Sequence, residues 1–84
     1  MNISACSWQI VLKDKHPMDY PKIDRCGQIK GDDLFAVRLH GSVLNKDGEW
    51  EYEPMPSSRD EDFLSRCRFE TFEAAARTAE RIYT

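Results

Sequence analysis

The twenty residues from Leu34 to Glu53, LFAVRLHGSVLNKDGEWEYE, constrain the fold of this chain more than any other stretch. Two alternating runs flank Asn45-Lys46-Asp47-Gly48, a polar connector ending in glycine, and that pattern predicts a β-hairpin. Phe35, Val37, Leu39, Val43, Trp50 and Tyr52 are expected on one face. Arg38, His40, Ser42, Glu49, Glu51 and Glu53 are expected on the other. With a four-residue connector, Leu44 would face Glu49, Val43 would face Trp50, and Ser42 would face Glu51. Tyr52 would then lie over the bare backbone of Gly41, and His40 would sit beside Glu53.

The rest of the chain supplies a layer to cover that hairpin. Ser7 to Lys13 alternates, with Trp8, Ile10 and Leu12 on one side, and reads as a half-buried antiparallel strand. From Asp14 to Asp33 the pattern is broken by Pro17, Pro21, Gly27 and Gly31. A structureless run of that length is uncommon in a small domain. It hides a short element, for example Arg25 to Lys30 around Cys26 and Ile29, or it is a functional loop with His16, Met18, Tyr20 and Ile23 as contact residues; the favoured expectation is that Met18, Tyr20 and Ile23 instead cover an open edge of the core. Pro54 and Pro56 end the hairpin because proline cannot donate to a ladder. Ser57 or Ser58 can cap a helical turn from Arg59 to Leu64, whose first residues Asp60, Glu61 and Asp62 suit a helix N-terminus. Phe63 and Leu64 would plug the core, and Arg66 to Phe69 would form a short extended segment with Cys67 and Phe69 inward.

Thr71 caps the strongest helical pattern, Phe72 to Tyr83, in which Phe72, Ala75, Ala76, Ala79, Ile82 and Tyr83 share a face. The small alanines allow close approach to a sheet bearing Trp8, Trp50 and Tyr52. The expected fold is therefore a single α+β domain over residues 1–84. It has a small antiparallel sheet of three to four strands, in the order β-β-β-short β-α, with the C-terminal helix on one face and the other face open to solvent. A chain of 84 residues buries only roughly 60–65% of its unfolded surface, so the four Phe, two Trp and three Tyr are needed inside.

Charge and motifs bound the function. Between Asn45 and Glu73 there are nine acidic residues against four basic ones, while the rest of the chain is slightly basic. Negative potential is thus concentrated in the second half. Glycines are isolated, which excludes a phosphate-cradling loop, and no strained nucleophile motif is present. The carboxylates have no evident cleft in which their pKa values could be tuned for acid–base work. Cys6, Cys26 and Cys67 are an odd number without CxxC spacing, so neither a disulfide framework nor a zinc site is expected. The expectation is a non-enzymatic protein with no cofactor and no metal. No apolar run suits a membrane span or signal peptide, and the expected location is the cytoplasm.

The segments Gly48-Glu49-Trp50 and Arg68-Phe69-Glu70-Thr71-Phe72-Glu73-Ala74-Ala75-Ala76-Arg77 resemble the AP2-like DNA-binding domain. That family has a three-stranded sheet, a Gly-x-Trp strand and a threonine-capped, alanine-rich helix. The resemblance implies DNA read by Arg and Trp on the open sheet face. In those positions this chain carries Glu49, Glu51 and Glu53, which phosphates would repel. The expected partner is instead a basic protein surface, met by the acidic sheet face and the Asp14–Asp33 loop, with Glu49, Glu51, Glu53, Asp60, Glu61, Asp62, His40 and Tyr20 as the contact residues. In size, acidity and lack of catalytic motifs the chain resembles single-domain inhibitors carried by phages and mobile elements, anti-CRISPR proteins among them. A free sheet edge would also allow a homodimer.

Overall fold

The computed structural model describes residues 6–26 and 33–83. Five strands pair antiparallel in chain order: β1 (Ser7–Gln9), β2 (Lys22–Cys26), β3 (Leu34–Leu39), β4 (Ser42–Leu44) and β5 (Trp50–Tyr52). Two helices follow, α1 (Glu61–Cys67) and α2 (Phe72–Ile82). The α+β class and the helix-covered antiparallel sheet are as expected, with one strand more than the upper count.

The additional strands come from two places where local chemistry overrode the alternation. The proline-broken stretch contains a 3-10 turn at Pro17–Asp19 and then β2, a central strand whose Ile23 is fully buried. The expected short element is thus real but begins earlier, at Lys22, and Ile29 and Lys30 lie outside the described residues. The second place is His40-Gly41. Both residues take positive φ, 51° and 81°, making a two-residue turn that matches the twist of a hairpin. Leu34 to Leu44 is therefore two strands, with Leu39 opposite Ser42 and Arg38 opposite Val43. Gly41 serves the turn and is not covered by Tyr52.

The turn inverts the expected facing of Val43. Val37 and Leu44 point toward α2 together with Ile23 and Phe69, and Ala75 and Ala79 of the helix close over them. Trp8 meets Phe72 edge-on at 5.0 Å between ring centroids and also touches Phe35. Val43 and Ala36 lie on the opposite face, where they pack with Phe63 and Cys67 of α1. The sheet accordingly carries a helix on each face, and the face expected to be open is partly closed. The register of β4 with β5 is also one residue from expectation. Leu44 pairs with Trp50, Val43 with Glu51 and Ser42 with Tyr52. The buried Asn45 side chain is the cause, since its Oδ1 accepts both the Asp47 and the Glu49 amides at 2.9 Å and so sets a five-residue loop.

The caps explain the helix limits. Asp60, rather than Ser57 or Ser58, caps α1 by accepting the Phe63 amide at 2.8 Å. Thr71 caps α2 as expected, accepting from the Ala74 amide at 3.0 Å. Between the helices the expected extended segment shrinks to one bridge, in which Phe69 and Phe35 exchange both backbone hydrogen bonds.

Candidate functional site

The expected site was the comb Glu49, Glu51 and Glu53 with the acids after Arg59. Strand alternation does put Glu51 and Glu53 on one face, but it is the face that α1 shares, and arginines occupy them. Glu53 is only 9% exposed and receives three guanidinium groups. Arg38 grips it through Nε at 2.6 Å and Nη2 at 2.8 Å. Arg68, itself 3% exposed, donates at 2.7 Å, and Arg59 lies at 3.1 Å. Arg38 also reaches Asp24, which in turn accepts the Ser7 hydroxyl. Burial alone would raise the Glu53 pKa, but hydrogen bonds from Arg38 and Arg68 more than offset it and hold the carboxyl down at about 2.

Glu51 is held differently. Arg66 donates to it through Nη2 at 3.0 Å, and the Asn45 amide donates at 2.8 Å. Arg66 first and Asn45 second keep its carboxyl near 2 as well. Arg66 also binds Asp62 one helical turn earlier, so Asp62, Arg66 and Glu51 form a chain from α1 to the last strand. Glu53 and Arg38 are thus structural ties, and Glu51 is half tie and half rim. Glu49, Asp60, Glu61 and Asp62 remain exposed.

His40 and Tyr20 fall at the other end of the sheet's turn, around a shallow depression that also includes Met18 and Lys22. His40 Nε2 lies 2.9 Å from Asp19 Oδ1, not beside Glu53. These two residues are not brought together with Glu49 and Asp62. Among the described residues, no group of three His, Cys, Asp or Glu is placed to hold a metal ion, and no helix is long and apolar enough to cross a membrane.

A feature that alternation assigned to the core lies outside it. Tyr52 is 78% exposed, Met55 70% and Trp50 36%. The strand face of Trp50 and Tyr52 is the one α2 packs on, but the main contacts of α2 are with β3 and β2. A helix about 10 Å wide cannot cover five strands spaced about 4.8 Å apart, and on β5 Tyr52 in particular stays exposed. The outer edge of β5 pairs with no other strand among the described residues. The Asn45 amide donates to the Glu49 carbonyl, which fixes the parity of the ladder. Val43 and Glu51 then form the hydrogen-bonded pair, while Trp50 and Tyr52 turn their amides and carbonyls outward. Among the described residues none bonds to those outward groups. No family model, curated protein or solved structure matches this chain. The β5 edge and its carboxylate rim therefore stand on geometry alone. A strand count would have pointed to them, since one helix cannot cover a five-stranded sheet.

Proposed function

We propose that this protein is a non-enzymatic binding module that engages a basic surface of a partner protein. The observation that carries this reading is the β5 margin. There Trp50 and Tyr52 are exposed beside a rim of carboxylates formed by Glu49, Glu51 and Asp62, with Asp60 and Glu61 at the start of α1. Exposed aromatic surface next to a rim where carboxylates outnumber the Arg66 guanidinium suits Lys and Arg side chains, through ion pairs and through stacking on the rings. A partner whose basic groove normally holds nucleic acid fits that chemistry, and the protein would then act as an inhibitor of the kind carried by mobile elements. Residence in the cytoplasm accords with three free thiols.

The nucleic-acid alternative draws less support. Arg38, Arg59 and Arg68 are engaged by Glu53, and Arg66 by Glu51 and Asp62. These four guanidinium groups are thereby engaged by carboxylates on the α1 face and are less available to phosphates.

The test is capture from an extract of the source cells with the immobilised chain. A basic protein should be retained at low salt, released by salt, and lost with Glu49→Lys combined with Asp62→Lys while the circular dichroism spectrum is unchanged. Equal recovery by that variant sinks the reading. Salt-dependent retardation of DNA by the isolated chain would favour the alternative.

A further inference from the structure

The two sides of the β5 edge differ in chemistry, and the difference has the period of a strand. Toward the α2 face the edge offers Trp50 and Tyr52. Toward the α1 face it offers Glu49, Glu51 and Asp62, three carboxylates against the single guanidinium of Arg66. Between the two sides run the outward amides and carbonyls of Trp50 and Tyr52, without partners among the described residues. An incoming strand places alternate side chains on opposite faces. We infer that β5 accepts an extended segment of the partner as a sixth strand, with Lys or Arg at alternate positions over the carboxylate rim and apolar residues between them against Trp50 and Tyr52. This rests on the basic-partner reading above and adds the shape of the bound segment.

Charge selects this occupant over a second copy of the chain. Antiparallel self-pairing centred on β5 would oppose Glu51 to Glu51 and bring both Asp62 residues to the same side, six carboxylates on that rim against two guanidinium groups. Like charges directly across a ladder are destabilising, which is one way natural proteins keep a free edge from joining its own kind. A basic strand removes the same repulsion.

The inference is tested with the full chain, labelled with 15N, and two synthetic heptapeptides of one composition. The first is acetyl-Ser-Lys-Val-Lys-Val-Lys-Ser-amide, which alternates; the second is acetyl-Ser-Val-Val-Lys-Lys-Lys-Ser-amide, which does not. At low salt the alternating peptide should protect the Trp50 and Tyr52 amides from exchange. At nine-tenths occupancy the rate falls about tenfold, because only the free tenth exchanges. The block peptide should not do this. Tyr52→Pro removes an outward N–H that no bond within the sheet uses, and it should abolish the protection; the wild-type exchange rates decide the matter even if that variant folds poorly. Equal shifts of Glu49 and Asp62 by both peptides, without protected amides, would overturn strand addition and leave the basic-partner reading standing. No response to either peptide would overturn both. Protection in the absence of peptide, with sedimentation that depends on protein concentration, would make a second copy the occupant and overturn the inference.

Discussion

Replacing Glu53 with glutamine should cost more stability than any other single-atom change in this protein. The side chain keeps its size, so packing is held constant and the effect is electrostatic. Three guanidinium groups that now share one carboxylate would face one another with, among the described residues, only Asp24 ion-paired to them. Two estimates agree on the size. A carboxyl held at about 2 against an ordinary 4.5 contributes about 3 kcal/mol at neutral pH. Removing one partner from a buried ion pair costs about 3–5 kcal/mol. A domain of this length has a total stability of roughly 4–13 kcal/mol, so the loss is a large share of it. At an unfolding entropy of about 2.1 cal/mol/K per residue, 3 kcal/mol lowers the melting temperature by roughly 15 °C. Calorimetry and urea titration at pH 7 would measure it, with Glu49→Gln as the control, expected within about 0.5 kcal/mol of wild type because Glu49 is exposed. A Glu53→Gln cost under about 1 kcal/mol, or one equal to the control, would refute the claim that this carboxylate ties β5 to α1 and β3.

The same network sets the acid limit. The folded Glu53 and Glu51 carboxyls lie near 2, below their unfolded value of 4.5, so the stability they confer is complete above pH 4.5 and is lost as pH falls toward 2. Urea midpoints measured across that window should fall steeply for wild type and more shallowly for Glu53→Gln. Gly41→Ala should cost about 1–2 kcal/mol from strain at φ +81° alone, since nothing lies near its added methyl. Gly48→Ala should cost more, because φ is +85° and the new carbon would come within 3.2 Å of the Ile82 side chain; thermal melts of the two variants give the order. Cys67 is fully buried, and burial, aided by Glu51, pushes its thiol up to about 11. At pH 8 in the native state iodoacetamide should label exposed Cys6 and spare Cys67, as mass spectrometry of the digested protein would show.

Where sequence and structure agree, a single strong local signal decides the outcome. Thr71 and the alanine stripe after it identify α2 and the face it buries, because cap chemistry and helical period act within a few residues. Where they part, a short polar residue was doing a backbone job. His40 beside Gly41 has the form of a hairpin turn, yet it interrupts an alternation that reads equally well as one long strand; inserting that turn sends Val43 to the face of α1. Asn45 then lengthens the next loop by one residue and shifts the register that would have placed Glu49 opposite Leu44. The site follows from the same steps. Formal charge along the chain counts Glu49, Glu51 and Glu53 as equals. The fold does not, because arginines distant in sequence, Arg38 on β3 and Arg66 and Arg68 around the end of α1, converge on two of the three. Long-range pairing of this kind leaves no local pattern, whereas its consequence does. Once α1 is tied to Glu51 and Glu53 on one face and α2 is seated mainly over β3 and β2 on the other, β5 is the strand left with exposed aromatic residues and an outward backbone edge.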